Sequence, residues 1–245
     1  NGSERILEFH MDNFCDKKPI DGKITLKCPA DDCMVIATPF AEKKTAFYYN
    51  QKINCMPATG SVSFGDKTYE FPEGKSFGTL DWGRGVWTYK NTWYWGSASG
   101  LAPDGKRLGW NIGYGFGDTS AASENMIFYD GKAHKLSHVS FGIPMKHKIY
   151  VTHGGCCGSS SGRCAETMDL IEDYMSPWTF TSDDGRFEMD FVPIIDRAAL
   201  TDAKLVSSDQ HQVFGKFTGK VILDDGTVIE VKDFLGFAEK VTNKW

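Results

Sequence analysis

Acidic side chains set among tryptophans are the residues of this chain best suited to chemistry. Asp81 and Arg84 sit in Asp-Trp-Gly-Arg-Gly, on either side of Trp82. A carboxyl desolvated by indole neighbours keeps its proton to higher pH and can protonate an alkene or an ether oxygen. The bland alternative is an ion pair, Asp81 with Arg84 or Arg84 with a distant acid such as Glu239, closing one end of the fold. Asp118 and Glu124 flank Thr-Ser-Ala-Ala-Ser, and two carboxylates near a strand end can serve as acid and base. Asp, Ser and Thr also bind their own backbone in turns, and Asp118 reads that way. Glu has less reason to sit in a turn, so Asp81 and Glu124 stand as the catalytic candidates, with Asn125 beside Glu124 as a ligand contact.

These residues lie in one stretch, Phe77 to Asn125, which holds five of the seven Trp and ten of the 26 Gly. It reads as two long strands joined by the Pro-Asp-Gly turn at 103–105. In the second strand Leu108, Trp110, Ile112, Tyr114 and Phe116 share one face, opposite Gly109, Asn111, Gly113, Gly115 and Gly117. A face stripped to glycine lets a neighbouring aromatic or a ligand approach the backbone. In the first strand Trp93 and Trp95 share a face with Ser97 and Ser99. With Asn111 they make an aromatic wall carrying a few hydrogen-bonding groups, the makeup of a pocket for an apolar ligand. The competing arrangement has the Trp rings simply covering the glycines.

The rest of the chain narrows the chemistry. A net charge of -5 over 245 residues, with no Lys/Arg run, excludes a general nucleic-acid binder. The apolar runs are too short for an integral membrane helix. No phosphate loop, dinucleotide fingerprint or Gly-x-Ser-x-Gly motif is present, and no cofactor is implied. His153, Cys156, Cys157 and Cys164 offer soft ligands, but their spacing lacks the Cys-x2-Cys knuckle of zinc sites. A loop of free thiols is the expectation, with no metal. Seven Cys in a chain too large to be a disulfide scaffold argue for reduced thiols and a cytoplasmic, intracellular setting.

The elements that position these groups are strands. Alternating segments recur from Lys23 onward, separated by Gly65-Asp66, Asp130-Gly131, Asp183-Asp184-Gly185 and Asp224-Asp225-Gly226. The spacing of Ala165, Met168, Leu170, Ile171, Tyr174 and Met175 predicts one short helix near 165–175. About a dozen strands and almost no helix make an antiparallel all-β protein, and glycines at sharply coiled positions favour a β-barrel over a flat sandwich.

Gly78-Thr-Leu-Asp-Trp-Gly-Arg-Gly-Val-Trp, Asn91-Thr-Trp-Tyr-Trp-Gly-Ser-Ala-Ser-Gly, Gly113-Tyr-Gly-Phe-Gly-Asp-Thr-Ser-Ala-Ala-Ser-Glu-Asn and Gly236-Phe-Ala-Glu-Lys-Val carry a resemblance to a family known as domain of unknown function 2804. Thr181-Ser-Asp-Asp-Gly-Arg-Phe-Glu-Met-Asp-Phe and His211-Gln-Val-Phe-Gly resemble it too. The match runs from about Phe47 to Trp245, and Asn50 and Lys52 fit its pattern as polar rim residues. Members are usually longer at the N-terminus, so residues 1–45 read as the end of a first β domain or an extension. Residues 46–245 then form one barrel domain, with the Cys-rich segment at about 147–175 as an insertion. More remotely the chain is similar to the lipocalin-like superfamily of carotenoid hydratases, tocopherol cyclases and some fungal Diels–Alderases. That likeness implies a lipocalin-like barrel holding an isoprenoid, polyene or fatty acyl molecule, with hydratase- or cyclase-like acid catalysis. In such a site Asp81 or Glu124 is the acid, Arg84 and Asn111 orient the substrate, and Trp82, Trp93 and Trp95 stabilise developing positive charge. The rival expectation is a non-catalytic structural or interaction subunit with protein partners in a larger assembly.

Overall fold

The computed structural model describes residues 2–152 and 165–244. Among them every ladder is antiparallel and no helix occurs. A six-stranded sheet opens the chain: β1 (Glu4–Cys15), β2 (Lys18–Lys27), β3 (Met34–Pro39), β4 (Phe47–Phe64), β5 (Lys67–Phe71) and β6 (Phe77–Val86). Next come β7 (Lys90–Leu101), β8 (Arg107–Tyr114), β9 (Met126–Tyr129), β10 (Lys132–Lys135) and β11 (Val139–Gly142). A separate ribbon is formed by β12 (Met145–Thr152) and β13 (Ala165–Glu172). The chain closes with β14 (Trp178–Ser182), β15 (Phe187–Asp202), β16 (Ser207–Ile222) and β17 (Val228–Lys244). These complete a nine-stranded sheet in the order β10-β9-β8-β7-β17-β16-β15-β14-β11. The sheets curl as half-barrels, in keeping with the lipocalin-like class.

Local chemistry explains the turns. Asp130 and Gly131 both take positive φ, 50° and 82°, as a two-residue hairpin between right-twisted strands requires. At Cys55, φ 57°, the pairing of β4 with β6 slips between Ile53 and Met56. Such a bulge bends a strand. Before it β4 pairs β3 and β6, the pairing with β6 continues past it to Pro57, and further along β4 pairs β2 and β5.

The main core fills the hollow of the nine-stranded sheet. Trp110, Trp178, Phe180, Phe187, Phe191 and Phe217 are fully buried there. Their rings interlock, with Trp110 edge-on to Phe217 at 5.2 Å and Phe191 on Phe217 at 4.5 Å between centroids. Leu108, Trp110, Ile112 and Tyr114 do face this core together. Phe116 does not, because β8 ends at Tyr114 and Gly115, φ 95°, turns the chain to the other side.

The helix expected near 165–175 is a correction. Residues 165–172 are strand β13, paired with β12 so that Lys148 stands opposite Asp169. Two of its apolar positions, Met168 and Leu170, are exposed, and Ile171 is only half-buried. Without a buried face a short helix is marginal, and cross-strand charge pairing favours the ribbon. An ion pair of 2.8 Å between Lys146 and Asp173 extends it. No helix among the described residues is long and apolar enough to cross a membrane.

Polar joints hold the smaller sheet against the outer face of the larger one. Asn54 donates to Ser97 Oγ (2.8 Å) and to the Trp110 carbonyl (3.0 Å). The Cys55 amide donates to Ser99 Oγ (3.0 Å), and Arg107 pairs with Asp31 (2.5 Å). Ser97 and Ser99 are therefore ties between sheets.

Candidate functional site

Beyond those joints the two sheets part and leave a cavity of about 260 Å³. It lies on the glycine-bearing face of the large sheet, not in its filled hollow. On β4, alternation places Tyr48, Asn50 and Lys52 on one face, and the register sets Gly83 beside Asn50 and Asp81 beside Lys52. The opposite wall comes from β7 and β17, where Trp93 and Trp95 project and Glu239 stands across from Trp95. Trp87, Phe116 and Glu124, from connecting segments, complete the lining. Glycine is required at Gly83: a Cβ there would lie 2.3 Å from the Tyr48 ring. Glu124 likewise uses the bare face, since a Cβ on Gly113 would sit 3.1 Å from Glu124 Oε1.

One ammonium organises the charges. Lys52, with its side chain 5% exposed, forms an ion pair with Asp81 Oδ1 at 3.0 Å and lies 3.8 Å from Glu124 Oε2. The same nitrogen stands 3.7 Å from the centroid of Trp95. Glu124 is fixed by Asn111, whose Nδ2 donates to its carbonyl (2.9 Å) and to Oε2 (3.0 Å). Asn111 Oδ1 in turn accepts from Trp95 Nε1 at 2.7 Å. Glu239, almost fully buried, accepts from Trp93 Nε1 (2.8 Å) and from Gln212 (2.9 Å). Burial pushes the Glu239 carboxyl above the usual range, Asp81 adds to the rise, and the two hydrogen bonds and Lys52 partly offset it. Burial, then Asp81 and Glu124, drives the Tyr48 phenol far above its ordinary value, so it stays neutral.

Of the residues singled out in the sequence, the cavity gathers Asp81, Glu124, Trp93, Trp95, Asn50 and Lys52. Asn111 stands behind the lining as the clamp on Glu124. Asn125 is buried away from the cavity, accepting from the Gly113 amide (2.7 Å) and donating to the Ser137 carbonyl (3.0 Å). Trp82 and Arg84 alternate to the far, exposed side of β6, where Trp82 meets Tyr49 edge-on. Asp81 pairs with Lys52, not with Arg84. Asp118 caps its own turn by accepting from the Ser120 amide (3.0 Å). The described residues bring together no cluster able to hold a metal ion. The loop with His153, Cys156, Cys157 and Cys164 lies outside them.

Sequence reasoning missed the roles of Lys52 and Glu239. Alternation of Tyr48, Asn50 and Lys52 was a usable signal for the first. Glu239 follows Gly236 and Phe237 on a strand otherwise rich in core positions, a place where an acid needs partners. Nothing local marked Trp87 or Phe116, which reach the cavity from connections.

The family model described as Domain of unknown function (DUF2804) matches residues 1–245, and the chain belongs to that family. The match therefore takes in residues 1–46, ahead of the stretch that carries the resemblance. No curated protein matches the chain in sequence. Among solved structures, the crystal structure of CghA is similar at 11% identity and a TM-score of 0.43, over 93% of this chain and 64% of that one. The chain thus spans under two thirds of the length of that protein.

Proposed function

We propose that this member of the DUF2804 family binds a lipophilic small molecule between its two sheets and acts on it by acid catalysis. The observation that carries this reading is the set of three carboxyl groups, Asp81, Glu124 and Glu239, lodged in an aromatic-walled cavity, with Glu239 pushed toward its protonated form. A carboxyl group that burial makes hold its proton to higher pH can give that proton to a weakly basic carbon or oxygen of a molecule seated among the indoles. The positive charge that develops lies beside the aromatic rings of Trp93 and Phe116 and the nearby carboxylates that line the cavity. Hydration of an alkene or closure of a ring proceeds through such a charge. The volume, just below the roughly 300–1,000 Å³ usual for ligand sites, suits a compact molecule or the reacting part of a longer one.

A non-catalytic interaction role draws its support from Leu200 and Leu205, which project into solvent from the β15–β16 hairpin. The test is consumption of apolar metabolites extracted from the source organism. The wild-type chain is expected to convert at least one compound to an isomer or to a product one water heavier. The Asp81→Asn/Glu124→Gln/Glu239→Gln variant should leave it untouched. Identical profiles for the two proteins exclude acid catalysis here and favour the interaction role.

A further inference from the structure

The lining of the cavity carries information about what enters it. Asn50 is 1% exposed and its side chain lines the cavity, yet its Oδ1 has no hydrogen-bond partner among the described residues. A buried acceptor left unpaired costs free energy, of order 1–3 kcal/mol, which a ligand supplying an N–H or O–H recovers. The charges around it are unbalanced. Lys52 is the one cationic side chain of the lining, against Asp81, Glu124 and Glu239, and it is already engaged by the first two. Even with Glu239 protonated the lining keeps a net negative charge. Lys135 lies behind Glu124, with its ammonium on the Ser123 and Asn125 carbonyls, and takes no part in the lining. The walls favour positive charge as well: Trp95 already faces an ammonium at 3.7 Å, and Trp87, Trp93 and Phe116 are open to the cavity.

We propose that the cavity selects an apolar amine, its protonated nitrogen donating to Asn50 Oδ1 and facing Asp81 and Glu124, and that it rejects carboxylates. The assignment rests on the cavity being a lipophilic site and names the headgroup that site takes. It also separates the chain from fatty-acid carriers, because a carboxylate would meet three carboxyl groups and no free cation in the lining. An ammonium occupies the place where acid catalysis would develop positive charge, so the same side chains serve both.

Calorimetric titration of the full chain with 1-octylamine, 1-octanol and octanoate tests this. The three probes share one alkyl chain, so differences report the headgroup. Octylamine should bind about tenfold or more tighter than octanol, and octanoate weakest of the three. Asn50→Leu should weaken octylamine about tenfold, and Asp81→Asn/Glu124→Gln should narrow the gap between octylamine and octanoate. Octanoate binding as well as octylamine, or a gap that both variants leave unchanged, overturns the amine assignment. Equal binding of all three leaves the lipophilic site standing and removes its selectivity. Failure of all three to bind removes both.

Discussion

Replacing Lys52 by Met keeps most of the stem volume and deletes the ammonium around which the cavity is arranged. Lys52 is buried, Asp81 has its side chain 37% exposed and Glu124 16%. Breaking a fully buried pair by removing one partner costs about 3–5 kcal/mol, whereas an exposed pair is worth about 1 kcal/mol or less. Asp81 retains access to water, which places the electrostatic loss between these limits, at about 2 kcal/mol. Loss of the ammonium from the face of Trp95 adds about 1 kcal/mol. For a chain of this size the sum lowers Tm by roughly 6–12 °C. The penalty arises from carboxylate charge left without a counter-ion. Adding Asp81→Asn to Lys52→Met should therefore recover part of the loss. Thermal unfolding of the three proteins at neutral pH is the assay. A Lys52→Met protein as stable as wild type, or a loss that Asp81→Asn leaves undiminished, would refute the reasoning.

Glu239 is held above the ordinary carboxylate range by burial, so its stabilising contribution is complete below about pH 4.5 and is lost as pH rises through the folded-state value. Glu239→Gln should flatten that limb of the stability–pH curve, and calorimetric scans across it are the check. Gly83→Ala would set a Cβ 2.3 Å from the Tyr48 ring. Forced displacement of the ring should cost about 1–3 kcal/mol in denaturant unfolding and weaken any ligand in the cavity. The Cys55 thiol is buried and pushed up to about 11, chiefly by that burial. Iodoacetamide should therefore modify exposed Cys15 within the native chain and spare Cys55, as peptide mapping would show.

From Lys23 onward most strands and hairpin turns were legible because period-two alternation and Asp-Gly pairs are local signals, whereas β1, where charge mixes with few apolar positions, was not. The glycine face of β8 also spoke truly of close approach: Gly109 receives Cys55 Sγ and Gly113 receives Glu124. What lay against that face was not legible, since it is decided by β4 and β6 crossing from the other sheet. Trp82 and Arg84 illustrate the limit. They share a motif with Asp81, but alternation along β6 sends them to the opposite side, and only the buried partner Lys52 shows which side is inward. The ribbon of β12 and β13 was misread for a related reason, because helical spacing in a short window says nothing about whether a core exists to receive it. A filled aromatic core and an open cavity both exist in this chain, on opposite faces of one sheet. The same tryptophan-rich stretch builds both, with Trp110 on one face and Trp93 and Trp95 on the other.

Native mass spectrometry of the protein taken from its source, followed by organic extraction, tests the central claim most directly. The account predicts one apolar small molecule per chain, released by solvent and taken back up by the emptied protein. A chain recovered free of any small molecule, which also takes up neither its own organic extract nor octylamine, would contradict it.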